Sequence, residues 1–329
     1  MSARAIGVAA FAVVIAALPW LIPPFATFEL TFAGAYAIAI LGLVILIGHS
    51  GQISLGHGAF MAVGGYSVAV LLQQAGLSYA FSIPFAIVLC AVLGFGLGAI
   101  ALRLGSIYLA LATFALAASV SPLLKRFKAI TGGVQGISMP SPHAPHALEH
   151  VLRGETWFYY LTWAIAALFF GIAFIALRGR IGRSLRAIRD SEVAAISFGV
   201  NPVFFKTLAF GWSAAYAGTA GALLAVSTAY VSPDIYSIGL SLTLLAGAVM
   251  GGLNLMSGAI VGGAAIEFLP LWAQNVNPAF SSIIYGVAEI AIMMFMPGGI
   301  AGTLESLRGA LKLQSSASRQ AAPAAKDVR

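Results

Sequence analysis

Long apolar runs constrain the fold of this chain more than any other feature of its sequence. A helix that crosses the hydrocarbon core of a bilayer needs roughly 20 apolar residues, and runs near that length recur along most of the chain. Only 8% of the residues are charged, whereas soluble domains have about a quarter. Because one water-soluble core cannot bury so much apolar surface, the sequence predicts an all-α polytopic membrane protein.

Ten runs are candidates for membrane-spanning helices, and several of them are shorter than a full span. They are Ile6–Ile22, Leu30–Ile47, Ala59–Leu72, Phe81–Leu102, Ile107–Leu124, Trp157–Leu177, Val203–Val226, Ile238–Leu253, Ala259–Trp272 and Ile283–Met296. We therefore expect about ten transmembrane helices, give or take one or two, some of them short or broken. No small-residue cleavage signal follows the first run, so we expect a retained span and not a signal peptide.

Loop charge predicts the orientation of the spans. Five arginines lie between Arg178 and Arg189, and five basic residues follow Glu305. Because cytoplasmic loops carry the excess of Lys and Arg, we expect both segments and both termini in the cytoplasm, with Arg103 also inside. The same count places the Lys125–Lys128 cluster outside, against the rule, so either that span is re-entrant or the count is wrong there. This placement of charge between spans does not indicate nucleic-acid binding, despite the net charge of +7.

The polar segments divide the chain. Residues 1–313 form the predicted transmembrane domain, and the Ser-, Ala- and Gln-rich segment 314–329 is a predicted disordered cytoplasmic tail. Residues of about 125–156 contain TGGVQG at Thr131–Gly136 and are either an ordered external loop or a flexible linker between two helical halves. Residues of about 178–202 form a strongly basic cytoplasmic loop.

A polar, glycine-rich segment, GHSGQISLGHG at Gly48–Gly58, separates two apolar runs. At membrane depth such backbone is tolerated only where it is buried in protein or lines a watery cavity. Its side chains either hydrogen-bond a passing solute or hold a broken helix in shape; alternatively, the segment is a plain cytoplasmic turn. No carboxylate or thiolate lies near its two histidines, so a metal site is not indicated. The candidate pathway residues are His49, Ser50, Gln52, Ser54 and His57.

The basic loop carries a second distinctive segment, GRSLRAIRDSEVAAISFGVNP at Gly182–Pro202. Its apolar residues recur near helical period and predict one short amphipathic helix; they are Leu185, Ile188, Ala195 and Ile196. Gly199 is a natural stop, Asn201 a natural cap and Pro202 a natural first residue of the next helix. Such a rigid charged helix is either a docking element for another protein or an interfacial helix lying on anionic membrane lipid.

Catalytic motifs are missing from the sequence. There is no H-E-x-x-H, no G-x-x-x-x-G-K-[ST], and no Ser or Cys nucleophile beside a plausible base. The single cysteine, Cys90, builds neither a disulfide framework nor a thiolate metal site. We therefore expect no enzyme activity and no cofactor or metal, and any ATP hydrolysis must occur on another chain.

Two carboxylates lie inside the predicted spans, Glu267 and Glu289. Intramembrane charge is costly and usually faces a cavity or a partner. Contact with a partner chain or a headgroup is favoured over a role in solute or proton handling. An ion-coupled secondary transporter of small polar solutes is an alternative, but it needs an embedded ion site. The spans offer no carboxylate cluster beyond these two residues.

Taken together, the motifs resemble those of the permeases of branched-chain amino acid ABC importers. Their order and spacing are similar to the LivM-type member of the permease pair, over roughly Phe28–Gly302. The matching motifs are GHSGQISLGHGAFMAVGGY, TGGVQG, GRSLRAIRDSEVAAISFGV, FKTLAFGWSAAYAGTAGALLA, MGGLNLMSGAIVGGA and MPGGIAG. The resemblance implies a bacterial inner-membrane subunit that works with a second homologous permease, two cytoplasmic ATPase subunits and an external solute-binding protein.

The resemblance also implies which residues engage the ATPase. EVAAISFG is similar to the coupling-loop motif of such permeases, with Ala194, Ala195 and Gly199 at the matching spacing. Glu192 stands one position further from the alanines than in the commonest form, so the contact made by its carboxylate is less certain than the coupling role. The remaining candidate coupling residues are Arg186, Arg189 and Asp190.

Three departures from the family pattern bear on the solute. No acidic residue stands near Ala118, Gly298 replaces a basic residue of the late proline motif, and Glu289 interrupts a run that is usually apolar. The family also includes importers of urea, short amides and aromatic acids. The predicted solute is therefore a branched-chain amino acid or one of these related small molecules.

Overall fold

A computed structural model describes residues 3–101, 106–143 and 154–306. The predictions on Arg103 and on the tail 314–329 lie outside the described residues. The helices are α1 (Ala3–Leu21), α2 (Pro24–Leu43, continued by a π-helix at Val44–His49), α3 (His57–Gln73), α4 (Tyr79–Ala101), α5 (Ser106–Arg126), α6 (Lys128–Thr131), α7 (Gly154–Arg178), α8 (Arg180–Asp190), α9 (Glu192–Ser197), α10 (Pro202–Thr228), α11 (Ile238–Gly251), α12 (Met256–Val276) and α13 (Ser281–Phe295). Two 3-10 turns lie at Gly133–Gln135 and Pro278–Phe280, and the strands are β1 (Ile137–Ser138) and β2 (Tyr230–Val231).

Each of the ten predicted spans lies on one of ten helices, namely α1 to α5, α7 and α10 to α13. Seven stretches of the described chain are long and apolar enough to cross a membrane, and two shorter apolar helices are Ala12–Leu21 and Ile238–Gly251. The strand content of the described residues is a single antiparallel pair of two-residue strands. The prediction of an all-α polytopic membrane protein is confirmed.

Helix α10 forms the centre of the bundle and packs on α2, α3 and α4. The crossing with α3 is close because both helices carry glycine at the contact. A Cβ added at Gly64 would lie 2.0 Å from the Gly218 carbonyl oxygen, and one added at Gly221 would lie 2.0 Å from that of Met61. Small residues of this kind allow tight backbone approach where the hydrophobic effect gives helices no attraction for each other.

The two ends of the bundle differ in structure. Helix α10 begins directly after α8 and α9 and ends directly before β2. Strand β2 pairs with β1, with Ile137 opposite Val231, so the segment that follows α5 lies at the end opposite to α8 and α9. The basic cluster at Lys125–Lys128 therefore lies opposite the five arginines, and neither a re-entrant span nor a miscount is needed. A 2.5 Å ion pair between Lys125 and Asp234 offsets one of its charges.

Within the predicted loop 125–156 the structure describes residues 125–143 and the start of α7 at residues 154–156, and the first stretch has a defined fold. The Thr131 hydroxyl donates to the Leu124 carbonyl oxygen over 2.6 Å and closes the turn after α5. The TGGVQG glycines then reverse the chain, since Gly132, Gly133 and Gly136 have φ angles of 71°, 63° and 70°. Only glycine adopts such left-handed conformations without strain, which explains why this motif precedes β1.

Candidate functional site

The segment Gly48–Gly58, which we name the helix break, joins α2 to α3. The last turn of α2 passes into a π-helix that ends at His49, and α3 begins at His57. Residues between them follow no regular helix, and Gly51 has a φ of 70°. A π-helical turn followed by irregular backbone is an arrangement often found at functional positions.

All five candidate pathway side chains of the helix break are buried in the protein. Their exposed fractions range from 1% for Ser54 to 9% for His49. Ser50 Oγ donates to the Leu46 carbonyl oxygen over 2.6 Å, and Gln52 Nε2 donates to Ser50 Oγ over 2.9 Å. His49 Nδ1 lies 3.1 Å from the Val44 carbonyl oxygen. In this conformation the polar groups hold the break in shape, and an exposed turn does not describe it.

The helix break is also bonded to three neighbouring helices. Thr113 of α5 accepts a 3.0 Å hydrogen bond from the Leu55 amide, and Ser241 of α11 accepts one of 2.9 Å from the Gly58 amide. Gln52 Nε2 donates to the Lys206 carbonyl oxygen of α10 over 3.2 Å. The break is therefore hydrogen-bonded to several helices of the bundle. A movement of any one of these helices would strain or move the break.

His57 is the more deeply buried of the two histidines of the break, with an exposed fraction of 2%. Its Nε2 lies 2.7 Å from Ser213 Oγ, and Ser213 donates its hydroxyl proton to the Gly42 carbonyl oxygen, also over 2.7 Å. Because a hydroxyl has one proton to donate, Ser213 accepts from His57, which fixes the proton on Nε2. The Nδ1 lone pair is then a buried acceptor without a partner among the described residues.

The basic loop, residues 178–202, contains two helices where the sequence predicted one. Helix α8 ends at Asp190, and Ser191 begins α9 by accepting a 3.3 Å hydrogen bond from the Ala194 amide. A serine that caps a helix interrupts the preceding one, since its backbone is extended. The predicted stop and start are confirmed: Gly199 has a φ of 77°, and Asn201 caps α10 at Pro202.

The break at Ser191 also changes which apolar residues face the protein. Leu185, Ile188 and Ala195 are buried as predicted, but Ile196 is 55% exposed, so the predicted single face is wrong at that residue. Val193 and Phe198 are exposed by 77% and 88%. We name Val193, Ile196 and Phe198 the apolar tip. The sequence analysis missed it because it assumed one continuous helix.

Two arginines of the basic loop, Arg186 and Arg189, direct their guanidinium groups toward the protein. Arg189 Nη1 donates to the Gly48 carbonyl oxygen and, over 3.1 Å, to Asn254 Oδ1. Arg186 Nη1 donates to the Leu177 carbonyl oxygen over 3.2 Å.

The two acidic candidates of the loop differ in their surroundings. Glu192 lies 2.5 Å from Lys206 Nζ at the start of α10, which gives its carboxylate a partner within the chain. Asp190 lies 3.3 Å from the Nε of its neighbour Arg189 and is 70% exposed. Asp190, together with the exposed Ala194, remains on the surface of the loop.

A third intramembrane carboxylate, Glu29, was missed by the sequence analysis because it lies just before the second apolar run. It is 8% exposed, and it lies near Glu267 of α12, a helix that packs on α2. Close packing brings the helices together, since a Cβ added at Gly263 would lie 2.7 Å from the Ala33 carbonyl oxygen. The predicted set of intramembrane carboxylates, Glu267 and Glu289, was therefore incomplete by one residue.

Other missed residues are the hydroxyl partners Thr113, Ser213 and Ser241, for which the sequence carries no signal beyond a lone polar residue in an apolar helix. Among the described residues, no group of three or more His, Cys, Asp or Glu is placed to hold a metal ion. Ser213 Oγ contacts His57 Nε2, but its proton goes to the Gly42 carbonyl oxygen, so His57 does not act as a base toward this hydroxyl. The arrangement is a buried polar break tied to a basic loop with an exposed tip.

An all-α bundle of long apolar helices with a buried polar break is the architecture of a polytopic membrane protein. Residues 25–296 match the model of the family described as the permease component of branched-chain amino acid transport systems. The chain belongs to this family.

Curated relatives agree with this family. The chain is 30% identical over 310 residues to the high-affinity branched-chain amino acid transport system permease protein LivM of Escherichia coli (strain K12), which covers 88% of this chain and 72% of the relative. It is 31% identical over 306 residues to LivM of Salmonella typhimurium, covering 87% and 71%. It is 22% identical over 293 residues to the permease protein BraD of Pseudomonas aeruginosa, covering 84% and 94%. No solved structure matches the chain.

Proposed function

We propose that this chain is the permease subunit of an ATP-driven importer and forms the pathway for a branched-chain amino acid or a related small solute. The relatives carry the branched-chain amino acid system in their names. The observation that carries the proposal is the buried helix break bonded directly to the basic loop. Such an arrangement joins a polar segment at membrane depth to an element that a cytoplasmic partner can reach.

The helix break is the proposed lining of the pathway. Its polar side chains are partnered in this conformation, and an amino acid in transit exchanges hydrogen bonds with them without creating unpaired groups. The buried Nδ1 of His57 supports this role, since it is an acceptor that an ammonium or amide group can satisfy. The family's other solutes, urea, short amides and aromatic acids, carry donors of the same kind, so they remain within the proposal.

The apolar tip is the proposed docking point for an ATPase subunit. A large apolar surface exposed to water is unfavourable unless a partner covers it. A membrane-surface role favours outward arginines; Arg180 and Arg183 of α8 are exposed, but Arg186 and Arg189 donate to carbonyl oxygens inside the chain. The tip carries the acidic Asp190 nearby, which anionic lipid repels. These contacts favour a protein groove over a lipid surface.

The opposite end of the bundle is the proposed docking surface for an external solute-binding protein. A cavity of about 420 Å³ there is lined by Arg126, Phe127, Lys128, Ala129 and Ile130. Phe127 and Ile130 are each 55% exposed. A mixed basic and apolar surface of this kind suits a partner with an acidic docking face.

Helix α13 has no buried residue, and a second homologous permease or lipid covers it in the assembled importer. The proposal includes a location in a bacterial inner membrane with both termini in the cytoplasm. The importer then contains two permeases, two ATPase subunits and a binding protein, and no cofactor belongs to this chain.

Co-purification tests the proposal. A tagged chain isolated in mild detergent should bring a second permease and an ATPase with it, at a fixed ratio to the bait. Isothermal titration of that complex with leucine, isoleucine or valine should show weak binding or none, because specificity resides in the binding protein. Isolation of the chain alone under conditions that keep other importers intact, or micromolar amino acid binding without the binding protein, would contradict it.

An ion-coupled secondary transporter is the second candidate, and the buried Glu29 beside Glu267 is the observation that favours it. Paired intramembrane carboxylates are typical of proton relays. The two candidates differ in their energy source. Uptake into ATP-free vesicles driven by an imposed proton gradient supports the secondary transporter, and its absence supports the importer.

A further inference from the structure

Three segments of the chain meet at the side chain of Arg189, near the end of α8. Its Nη1 donates to the Gly48 carbonyl oxygen in the π-helix of the helix break. The same nitrogen donates over 3.1 Å to Oδ1 of Asn254, in the turn between α11 and α12. We name Arg189, Gly48 and Asn254 the arginine latch.

The two segments that supply the acceptors of the latch also pack directly on each other. Gly48 packs so tightly on the α11–α12 turn that an added Cβ would lie 1.8 Å from the Leu253 carbonyl oxygen. The Gly48 carbonyl lies in the last turn of its helix, where backbone donors run out. A side-chain donor is therefore needed there, and Arg189 supplies it.

The stem of Arg189 is also held in place. A Cβ added at Gly51 would lie 3.0 Å from Arg189 Cγ, so the arginine stem lies against the backbone of the break. Gly51 has a φ of 70°, which L side chains rarely adopt. The guanidinium is thus fixed by its stem and by two acceptors, and a lysine offers neither the planar fork nor the same reach.

We propose that Arg189 is a positioning residue that ties the basic loop to both the helix break and the α11–α12 turn, so that a displacement of α8 moves both together. The proposal rests on the proposed coupling function of the basic loop and assigns Arg189 an inward role. The docking contact with the ATPase belongs to the apolar tip. Arg189 acts through Gly48 and Asn254.

A direct ATPase contact by Arg189 makes a different prediction for Asn254. If Arg189 bound the ATPase, changing Asn254 would leave coupling unaltered, and changing Arg189 would weaken assembly. If the latch transmits movement, Arg189→Lys and Asn254→Ala should produce the same defect. The double variant should then be no worse than either single one, because both remove one connection.

The experiment uses the complete importer, with its ATPase, second permease and binding protein, in proteoliposomes. Uptake per ATP hydrolysed is measured for the unaltered complex, Arg189→Lys, Asn254→Ala, the double variant and the control Arg183→Lys, an exposed arginine of the same helix. We expect uptake per ATP to fall by about fivefold or more in the first three variants, a typical size for coupling between sites. The control should be unchanged, and complex yield and melting temperature should stay constant in all of them.

The outcomes separate the latch from the proposed function. If the unaltered complex shows no ATP-driven uptake, the proposed function fails. If it imports normally but Arg189→Lys keeps its uptake per ATP, or if Asn254→Ala behaves like the control, the latch is refuted and the importer stands. A loss of ATPase from the Arg189→Lys complex would also overturn the latch in favour of direct docking. Partial recovery of uptake per ATP in Arg189→Lys when Asn254→Asp is added would support it, because a carboxylate attracts the lysine.

Discussion

The helix break and the apolar tip reverse the usual distribution of polarity in opposite directions. The break buries five polar side chains, while the tip exposes Val193, Ile196 and Phe198. Both arrangements cost free energy unless the groups find partners. The break finds its partners within the chain, through Ser50, Gln52 and neighbouring helices, but the tip has none of comparable kind.

The break is thus a region whose unusual groups find partners within the chain, whereas the tip is a region whose unusual groups do not. Packing and internal hydrogen bonds account for the break as a stable element of the bundle. They do not account for a phenylalanine that is 88% exposed at the end of a capped two-helix loop. In the proposed function an ATPase subunit covers the tip, and the following predictions test whether the two regions depend on each other.

The largest effect is expected from Ala187→Pro, in the interior of α8. Proline there removes a backbone donor and clashes with the preceding turn, at a cost of about 3 kcal/mol. Since α8 connects the tip, on the following α9, to the break, uptake by the reconstituted importer should fall about 100-fold, in line with that cost. Ala187→Ser should retain uptake. Normal uptake by a folded Ala187→Pro complex would separate the two regions and contradict the account.

Ala194→Pro should reduce uptake less than Ala187→Pro does, although both changes place a proline in a helix of the basic loop. Ala194 is the third residue of α9, where its amide donates to the Ser191 cap, and the first helical turn tolerates proline better than the interior does. The loss is that of a cap, about 1 kcal/mol. Uptake should fall less than in Ala187→Pro; an equal or larger loss would show that α9, not α8, carries the movement.

Phe198→Ser should weaken the ATPase contact without touching the break. Aromatic anchors in an interface contribute about 2 kcal/mol or more, so the affinity of the purified permease for the ATPase should fall by about 30-fold or more. Phe127→Ser, a change of the same kind at the opposite end, should retain the ATPase. Pull-down at several ATPase concentrations measures the difference, and equal retention by both variants would remove the tip from the interface.

Gln52→Leu should act on the break and leave the tip intact. Leucine leaves the Lys206 carbonyl oxygen and Ser50 Oγ without the donor they have now, and a buried unpaired group costs about 1–3 kcal/mol. Uptake should fall about fivefold while membrane level and ATPase retention are unchanged. Ile53→Leu, at a half-exposed neighbour, serves as the control. Undiminished uptake in both Gln52→Leu and Ser54→Leu would argue for a structural turn only.

The smallest effect is expected from Glu267→Gln. In an ATP-driven importer the pair with Glu29 is a packing element, and an amide keeps the shape and a hydrogen bond. ATP-driven uptake should change by less than about twofold, since a conserved hydrogen bond is nearly neutral in net free energy. Transport assays over a range of external pH provide the measurement. Abolished uptake would instead support the secondary transporter. Glu289→Gln, the same change at a more exposed carboxylate, is the matched control.

Much of the fold was predictable because membrane spans depend on local composition. Every one of the ten apolar runs became a helix, and Gly199, Asn201 and Pro202 marked the start of α10 correctly. The break at Ser191 was not predictable from helical period alone, because serine is common in helices and its capping role depends on where the chain turns. That Lys125 lies at the end of the bundle opposite α8 and α9 likewise follows only from the pairing of β1 with β2.

The candidate site was predictable in its residues but not in its connections. The burial of polar backbone follows from the bilayer, so His49 to His57 stood out from the sequence. That Arg189 turns inward to Gly48, and that Glu29 meets Glu267, depend on helices far apart in the chain. No spacing within the sequence encodes those distances.

The most direct test of the account is transport by the reconstituted importer with a defined energy source. Proteoliposomes containing this chain, its partner permease, the ATPase and the loaded binding protein are assayed with labelled leucine, isoleucine, valine, urea and an aromatic amino acid. The account predicts that at least one solute accumulates only when ATP reaches the ATPase, and that a protonophore leaves accumulation intact. Accumulation without ATP that follows an ion gradient and stops with the protonophore would contradict it.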